Sequence, residues 1–164
     1  MTEKVYNVLF LCAENSARSI MAEAILNKLG HGRFHAFSAG SQPSGHINPL
    51  AIDLLKSVGY SVDNLRSKSW DEFQTDDAPE MDFVFTVCSD AAEEVCPVWK
   101  GQPVSAHWHF ADLASGQGSL AQQKEVVHHV LQEIRQRVQL LLNLPLSKLD
   151  KASLHHHVQT LQSA

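Results

Sequence analysis

This 164-residue sequence has no long apolar segment and no excess of basic residues, and its number of cysteines is odd. No apolar run approaches the roughly 20 residues of a membrane-spanning helix, which predicts no membrane association. The formal net charge of −5 leaves no basic surface for a nucleic acid. Three cysteines make a poor framework of structural disulfides and favour a reducing compartment, the cytoplasm. The N-terminus starts a predicted strand almost at once, which leaves no room for a signal peptide.

The composition is that of a soluble globular protein, with 44% hydrophobic and 19% charged residues. We expect a monomer with one catalytic domain over residues 1–145 and a helical tail over 146–164. The tail contains His155, His156 and His157, but consecutive residues of a helix point in different directions and do not ligate one ion together. Cysteine and histidine spacings typical of zinc are also missing, so we predict no metal site.

Strands alternate with helices along the sequence. The apolar patterns predict four strands at 5–11, 34–40, 80–87 and 104–108. They predict helices at 20–29, 49–58 and 119–142, a short one at 69–73 begun by a Ser69/Glu72 capping box, and a weaker one in the tail. This order favours the α/β class, as a three-layer α/β/α sandwich around a four-stranded parallel sheet.

The loop between the first strand and the first helix starts with a cysteine and ends with Arg-Ser. The helix N-terminus and the nearby Arg18 lower a thiol pKa, so we expect Cys12 to be largely thiolate near neutral pH. The planar guanidinium of Arg18 can hold two oxygens of a tetrahedral oxyanion. Ser19 can donate to the Cys12 sulfur, and Asn15 can fix the loop through backbone groups. The predicted oxyanion-binding residues are Cys12, Ala13, Glu14, Asn15, Ser16, Ala17, Arg18 and Ser19.

A cysteine after an apolar strand can also be a small core residue, and Cys-x5-Arg alone arises by chance. The placement of Cys12, Arg18 and Ser19 between a strand and a helix favours the chemical interpretation over this one.

The same residues resemble a known family. Cys12, Asn15, Arg18 and Ser19, followed by Met21-Ala22-Glu23, are similar to the loop of the low-molecular-weight tyrosine phosphatase superfamily, and within it to its arsenate reductases. Further matching stretches are Ser38-Ala39-Gly40, Asn48-Pro49-x-Ala51, Phe85-Thr86-Val87-Cys88, Cys96-Pro97-Val98 and His107-Trp108 with Asp112. The resemblance implies the phosphatase-I-like fold and the reduction of arsenate to arsenite for arsenic detoxification.

The resemblance also implies a role for each cysteine. Cys12 attacks arsenate and forms a thiol–arsenic adduct, Cys88 attacks the Cys12 sulfur as arsenite leaves, and Cys96 resolves that disulfide. Asp112 matches the general acid. No tightly bound cofactor is implied, and an external thiol reductant, thioredoxin or glutaredoxin with glutathione, reduces the last disulfide. Without the resemblance, core packing for Cys88 and a solvated loop residue or a helix cap for Asp112 stay open as alternatives.

Three positions depart from the family pattern. Glu14 stands where relatives usually have glycine, and a carboxylate in an anion-binding loop is unfavourable unless it points outward. Ala17 replaces a second loop cysteine, which makes Cys88 more necessary. Leu113 follows Asp112 without the proline and aromatic residue of the phosphatases, which weakens a phosphotyrosine interpretation.

Lys68 is a fourth departure. Some reductases of this family bind potassium near the loop through residues matching Asn15, Glu23 and Ser38, together with an aspartate near position 68. We expect the Lys68 ammonium group to take the place of the cation beside Glu23 and to support the loop.

Two other functions stay open on the sequence. One is a phosphatase of the same fold that forms a Cys12 phosphoenzyme. The other is a binding protein that senses oxyanions or redox state and whose loop is impaired by Glu14.

Overall fold

The computed structural model describes residues 5–12, 14–87, 103–108, 110, 119–146 and 151–160, the last range without the side chains of 151, 152, 155, 159 and 160. Its elements are β1 (Tyr6–Leu11), α1 (Arg18–Leu29), β2 (Phe34–Ala39), α2 (Pro49–Ser57), a 3-10 helix (Trp70–Phe73), β3 (Phe83–Thr86), β4 (Val104–His107), α3 (Leu120–Leu142) and α4 (Lys151–Thr160). The four strands and the helices occur in the order in which the sequence predicted them.

The four strands form one parallel sheet in the order β2-β1-β3-β4. Leu11 pairs with Ala39 on one side and with Thr86 on the other, and Thr86 pairs with His107. The carboxyl ends of all four strands therefore meet at one edge. The strand order reverses beside β1, and ligands of open parallel sheets bind at such a point.

Alternation of side chains along the strands builds two cores. The larger one contains Phe10, Phe85 and Trp108 and packs against the α-helices. The smaller one contains Leu9 and Val84 and is covered by residues of the 3-10 helix, among other side chains. The three-layer α/β/α order is thus confirmed, although the second outer layer of the described residues is only this short helix and its flanking segments.

Helix α1 is more enclosed than its sequence pattern indicates. Apolar residues at spacings of three and four predict one buried face, yet every residue from Ser19 to Leu26 is buried. The helix lies between the sheet, α2 and α3, so its polar Ser19 and Glu23 are buried as well. Buried polar groups require partners, and these two find them at the site described below.

Two local predictions meet different outcomes. Asn48 caps α2 as predicted, because its side chain accepts a 2.9 Å hydrogen bond from the Leu50 N–H. The capping box at the 3-10 helix is wrong. Ser69 Oγ does accept from the Asp71 N–H at 3.1 Å, but the Glu72 carboxylate pairs with Arg66 instead of turning back to the cap.

Within the described ranges, no helix is both long and apolar enough to cross a bilayer. In the same part of the chain, no cluster of three or more histidine, cysteine, aspartate or glutamate side chains could hold a metal ion.

Candidate active site

Cys12 and Arg18 stand at the two ends of the loop that joins β1 to α1. Cys12 follows the last residue of β1, and its N–H continues the sheet by donating to the Ala39 carbonyl at 3.2 Å. The Cys12 side chain is 7% exposed. Arg18 is the first residue of α1, and the cap residue Ala17 provides no side-chain acceptor to the first turn. The N–H groups of that turn remain suited to an anion, next to the guanidinium.

Asn15 holds the loop in its shape. It has φ of +49°, a left-handed conformation that asparagine tolerates better than most residues. Its Nδ2 donates to Ser19 Oγ at 2.8 Å, and its Oδ1 accepts from the Lys68 N–H at 2.9 Å. Because Ser19 Oγ accepts this bond, its own hydrogen is directed to a different acceptor. That the acceptor is the Cys12 sulfur stays a prediction.

The outer side of the loop is tied to two neighbouring segments through backbone carbonyls. The Glu14 carbonyl accepts from the Ser44 N–H and from Ser67 Oγ, both at 3.1 Å. The Ser16 carbonyl accepts from the Asn48 N–H at 2.8 Å. The Glu14 side chain is exposed. The contacts that hold Glu14 in the loop therefore go through its backbone carbonyl and not through its carboxylate.

Arg18 is anchored by the segment that follows the edge strand β4. Its Nη1 donates to the Phe110 carbonyl at 3.3 Å, and Phe110 itself is fully buried. A hydrogen bond of this kind restricts the rotation of the guanidinium. Sequence reasoning missed this contact because a backbone carbonyl acceptor has no sequence signature.

A buried ion pair lies behind the loop. Lys68 Nζ is 3.6 Å from Glu23 Oε1, and the two residues are 8% and 7% exposed. Ser38 Oγ donates to the same Glu23 oxygen at 2.6 Å, and Lys68 Nζ donates to the Arg66 carbonyl at 3.1 Å. The Lys68 ammonium therefore lies beside Glu23, while the main chain of the same lysine holds Asn15. Its role in turnover stays a prediction.

Burial disfavours the charged form of both partners. It raises the pKa of Glu23 above 4.5, although Lys68, the Ser38 hydroxyl and His35 act in the opposite direction. It lowers the pKa of Lys68 below 10.5, against the attraction of Glu23. Desolvation of a buried pair commonly outweighs the mutual attraction of its charges.

We expect this pair to make stability depend on pH in two windows. Folded Glu23 holds its proton more tightly than the unfolded chain, so stability falls as pH rises from 4.5 through the raised pKa. For Lys68 the unfolded chain binds the proton more tightly, so stability rises as pH rises from the lowered pKa towards 10.5. Urea unfolding of the wild type and of a Glu23→Gln/Lys68→Met variant across pH measures both windows. If the difference in unfolding free energy between the wild type and this variant is the same at every pH, the pair does not make stability depend on pH.

The structure brings together most of the residues predicted for the loop and its support. Within the described residues these are Cys12, Glu14, Asn15, Ser16, Ala17, Arg18, Ser19, Glu23, Ser38 and Lys68. Ala13, Cys88, Cys96 and Asp112 lie outside the described residues. Besides Phe110, sequence reasoning missed Ser44 and Ser67 as supports of the loop. The Asn48-Pro49 match did carry a signal, since the Asn48 N–H contacts the loop directly.

Comparison with known proteins identifies the family of this site. The family model for the low molecular weight phosphotyrosine protein phosphatase matches residues 7–157. The chain belongs to that family. The predicted resemblance is therefore confirmed.

Members of the family with similar sequences include arsenate reductases. The chain is 33% identical over 140 residues to the arsenate reductase of Oceanobacillus iheyensis, covering 85% of this chain and 96% of that protein. It is 34% identical over 131 residues to the arsenate reductase of Bacillus subtilis, covering 80% and 91%. A solved arsenate reductase in its phosphate-binding state has a TM-score of 0.69 and 30% identity, with 84% of this chain and 97% of that one covered.

Proposed function

We propose that this chain reduces arsenate to arsenite. The observation that carries the proposal is the loop itself, in which a cysteine directly follows β1 and an arginine is the first residue of α1. A tetrahedral oxyanion in this loop would be held by the Arg18 fork and by N–H groups of the α1 N-terminus, beside the Cys12 sulfur. Arsenate reductases with more than 30% identity over most of their length support this choice of oxyanion.

In the first proposed step, the Cys12 thiolate forms a bond to arsenic and one As–O bond breaks. Asp112 protonates the departing oxygen as a general acid. Arg18 stabilises the negative charge on the remaining oxygens, and its anchor on the Phe110 carbonyl keeps the guanidinium oriented during the attack.

In the second proposed step, the Cys88 thiolate forms a disulfide with the Cys12 sulfur. The S–As bond breaks, and its electron pair stays on arsenic, which leaves as arsenite. Cys96 then attacks Cys88, which releases Cys12 and leaves a Cys88–Cys96 disulfide. An external dithiol, thioredoxin or a glutaredoxin with glutathione, reduces this disulfide and is oxidised in turn. The roles of Cys88, Cys96 and Asp112 rest on the family resemblance.

We place the chain in the cytoplasm as a monomer, with residues 1–145 as the catalytic domain and no tightly bound cofactor. Lys68 serves as a built-in cation beside Glu23, which is supported by the distance of 3.6 Å between Lys68 Nζ and Glu23 Oε1.

A phosphatase is the second candidate, because the family description names phosphotyrosine. The Cys12–Arg18 loop would serve both reactions, since each begins with thiolate attack on a tetrahedral oxyanion. A binding protein disabled by Glu14 is less well supported, because the Glu14 side chain is exposed and only its backbone carbonyl carries the contacts to Ser44 and Ser67.

One assay separates the two enzymatic functions. Reduced wild type is incubated with arsenate, thioredoxin, its reductase and NADPH, or with an aryl phosphate, and compared with a Cys88→Ser/Cys96→Ser variant. We expect the variant to lose multiple turnovers of arsenate, because no disulfide is left for the reductant to open. Any aryl phosphate hydrolysis should survive in it, since Cys12 is the only one of the three cysteines that this reaction needs. Rapid hydrolysis by the wild type without arsenite formation would assign the chain to the phosphatases.

A further inference from the structure

The C-terminal helix α4 docks on the edge strand of the sheet. It contacts β4, and its Val158 is fully buried in the larger core, with Leu154 packed against that core. A helix of ten residues is not stable by itself in water, so this packing is what keeps α4 in place.

Trp108 joins α4 to the sheet. Its indole Nε1 donates to the Val158 carbonyl at 3.0 Å. That carbonyl belongs to the last described turn of α4, so the indole joins this part of the helix directly to the segment that follows β4. On the other side, the Trp108 ring stacks on Phe85 with centroids 4.1 Å apart and planes 13° apart. The main-chain N–H of Trp108 donates to the Thr86 carbonyl at 2.7 Å.

The same segment reaches the candidate active site two residues later. Phe110 is fully buried in the core that contains Trp108 and Val158, and its carbonyl accepts from Arg18 Nη1 at 3.3 Å. A shift of Trp108 changes the place of this carbonyl, because the chain between them is short and both side chains are enclosed. A short series of contacts thus connects Arg18 with a helix at the far end of the sequence.

We propose that α4 is a positioning element for the oxyanion site, acting through Trp108 and the Phe110 carbonyl on the Arg18 guanidinium. The proposal rests on the proposed function, since it assumes that Arg18 binds an oxyanion. Trp108 and Val158 contact no reacting atom in it. They keep the arginine fork in the orientation that matches two oxygens of the anion.

The test measures inorganic phosphate binding by calorimetry in the full-length, reduced protein. Trp108→Phe removes the indole N–H and keeps most of the ring, and Val158→Asp places a charge where α4 meets the core. We expect both to raise the phosphate dissociation constant about tenfold, the effect of losing one hydrogen bond to a charged group. His156→Ala on the exposed side of α4 and Val138→Ala in the buried part of α3 should leave it unchanged, the latter despite lower stability.

A second readout does not depend on phosphate. In 15N spectra of arginine side chains, the wild type should show a slowly exchanging Arg18 Nη proton, and Trp108→Phe and Val158→Asp should lose it. If both variants fold, keep that signal and bind phosphate as the wild type does, the proposal is overturned. If the wild type binds no phosphate but the variants still lose the signal, the proposed function fails while the link from α4 to Arg18 stands.

Discussion

Cys12→Ser is expected to abolish arsenate reduction and any aryl phosphate hydrolysis, with a loss of turnover of at least about 10⁴-fold. A serine hydroxyl has nearly the size of the thiol, but it is not ionised near neutral pH and no base adjoins it in the proposed mechanism. Arsenite formation with the coupled reductant and hydrolysis of an aryl phosphate measure the two activities on the same preparation.

Phosphate affinity provides the control for this variant. The contacts of Asn15 with Ser19 and Lys68 do not involve the Cys12 side chain, so Cys12→Ser should keep the loop and bind phosphate at least as well as the wild type. Removal of a thiolate beside the anion can even strengthen binding, because two negative charges no longer meet. Continued arsenite production by Cys12→Ser would show that another thiol performs the first attack.

The largest loss of stability is expected at the buried pair behind the loop. Lys68→Met should lower the free energy of unfolding by about 3 kcal/mol, because the Glu23 carboxylate is left buried without its cation. The double variant Glu23→Gln/Lys68→Met should recover most of this loss, since the uncompensated charge is gone while the Ser38 hydroxyl keeps a partner. Urea unfolding at pH 7 measures both, with Lys56→Met on the exposed side of α2 as the matched control.

Turnover in different salts tests the functional part of the same pair. With an ammonium group already beside Glu23, wild-type arsenate reduction should be equal in potassium and sodium chloride, whereas Lys68→Ala opens space for an ion and should respond to potassium. Strong stimulation of the wild type by potassium over sodium would contradict the role of Lys68 as a built-in cation.

The unfolding experiment has its own contradicting outcome. If the double variant Glu23→Gln/Lys68→Met is no more stable than Lys68→Met, the packing of the lysine stem matters more than its charge.

The order of elements could be predicted from the sequence because each rests on a local pattern. The apolar run of β1, the Asn48-Pro49 start of α2 and the long amphipathic α3 are confirmed. Side-chain alternation and helix periodicity are short-range properties, so they survive in the folded chain. The capping box predicted for Ser69 and Glu72 does not form, because the Glu72 carboxylate pairs with the charged Arg66, a residue outside the turn.

The support of the site was only partly visible in the sequence. The left-handed Asn15 fits the expectation for an asparagine in a tight loop. The amide oxygen of Asn15 accepts from the main chain of Lys68, which is 53 residues away in the sequence. This contact forms because the chain after Gly40 packs against the loop, and the sequence does not show that packing. Contacts that end on a backbone group are the same for every residue type, so no residue choice indicates them in advance.

By itself, the sequence determined the class of the fold and the strand-to-helix loop with Cys12 at its start and Arg18 at its end, because these depend on residues that are neighbours along the chain. Only the tertiary structure decided that α1 is buried from Ser19 to Leu26, that Glu23 and Lys68 share one buried site, and that Trp108 and Phe110 connect α4 with Arg18. These features join residues from distant parts of the chain. Close packing around the sheet sets the distances between them, and the helix and strand preferences of single residues do not describe such packing.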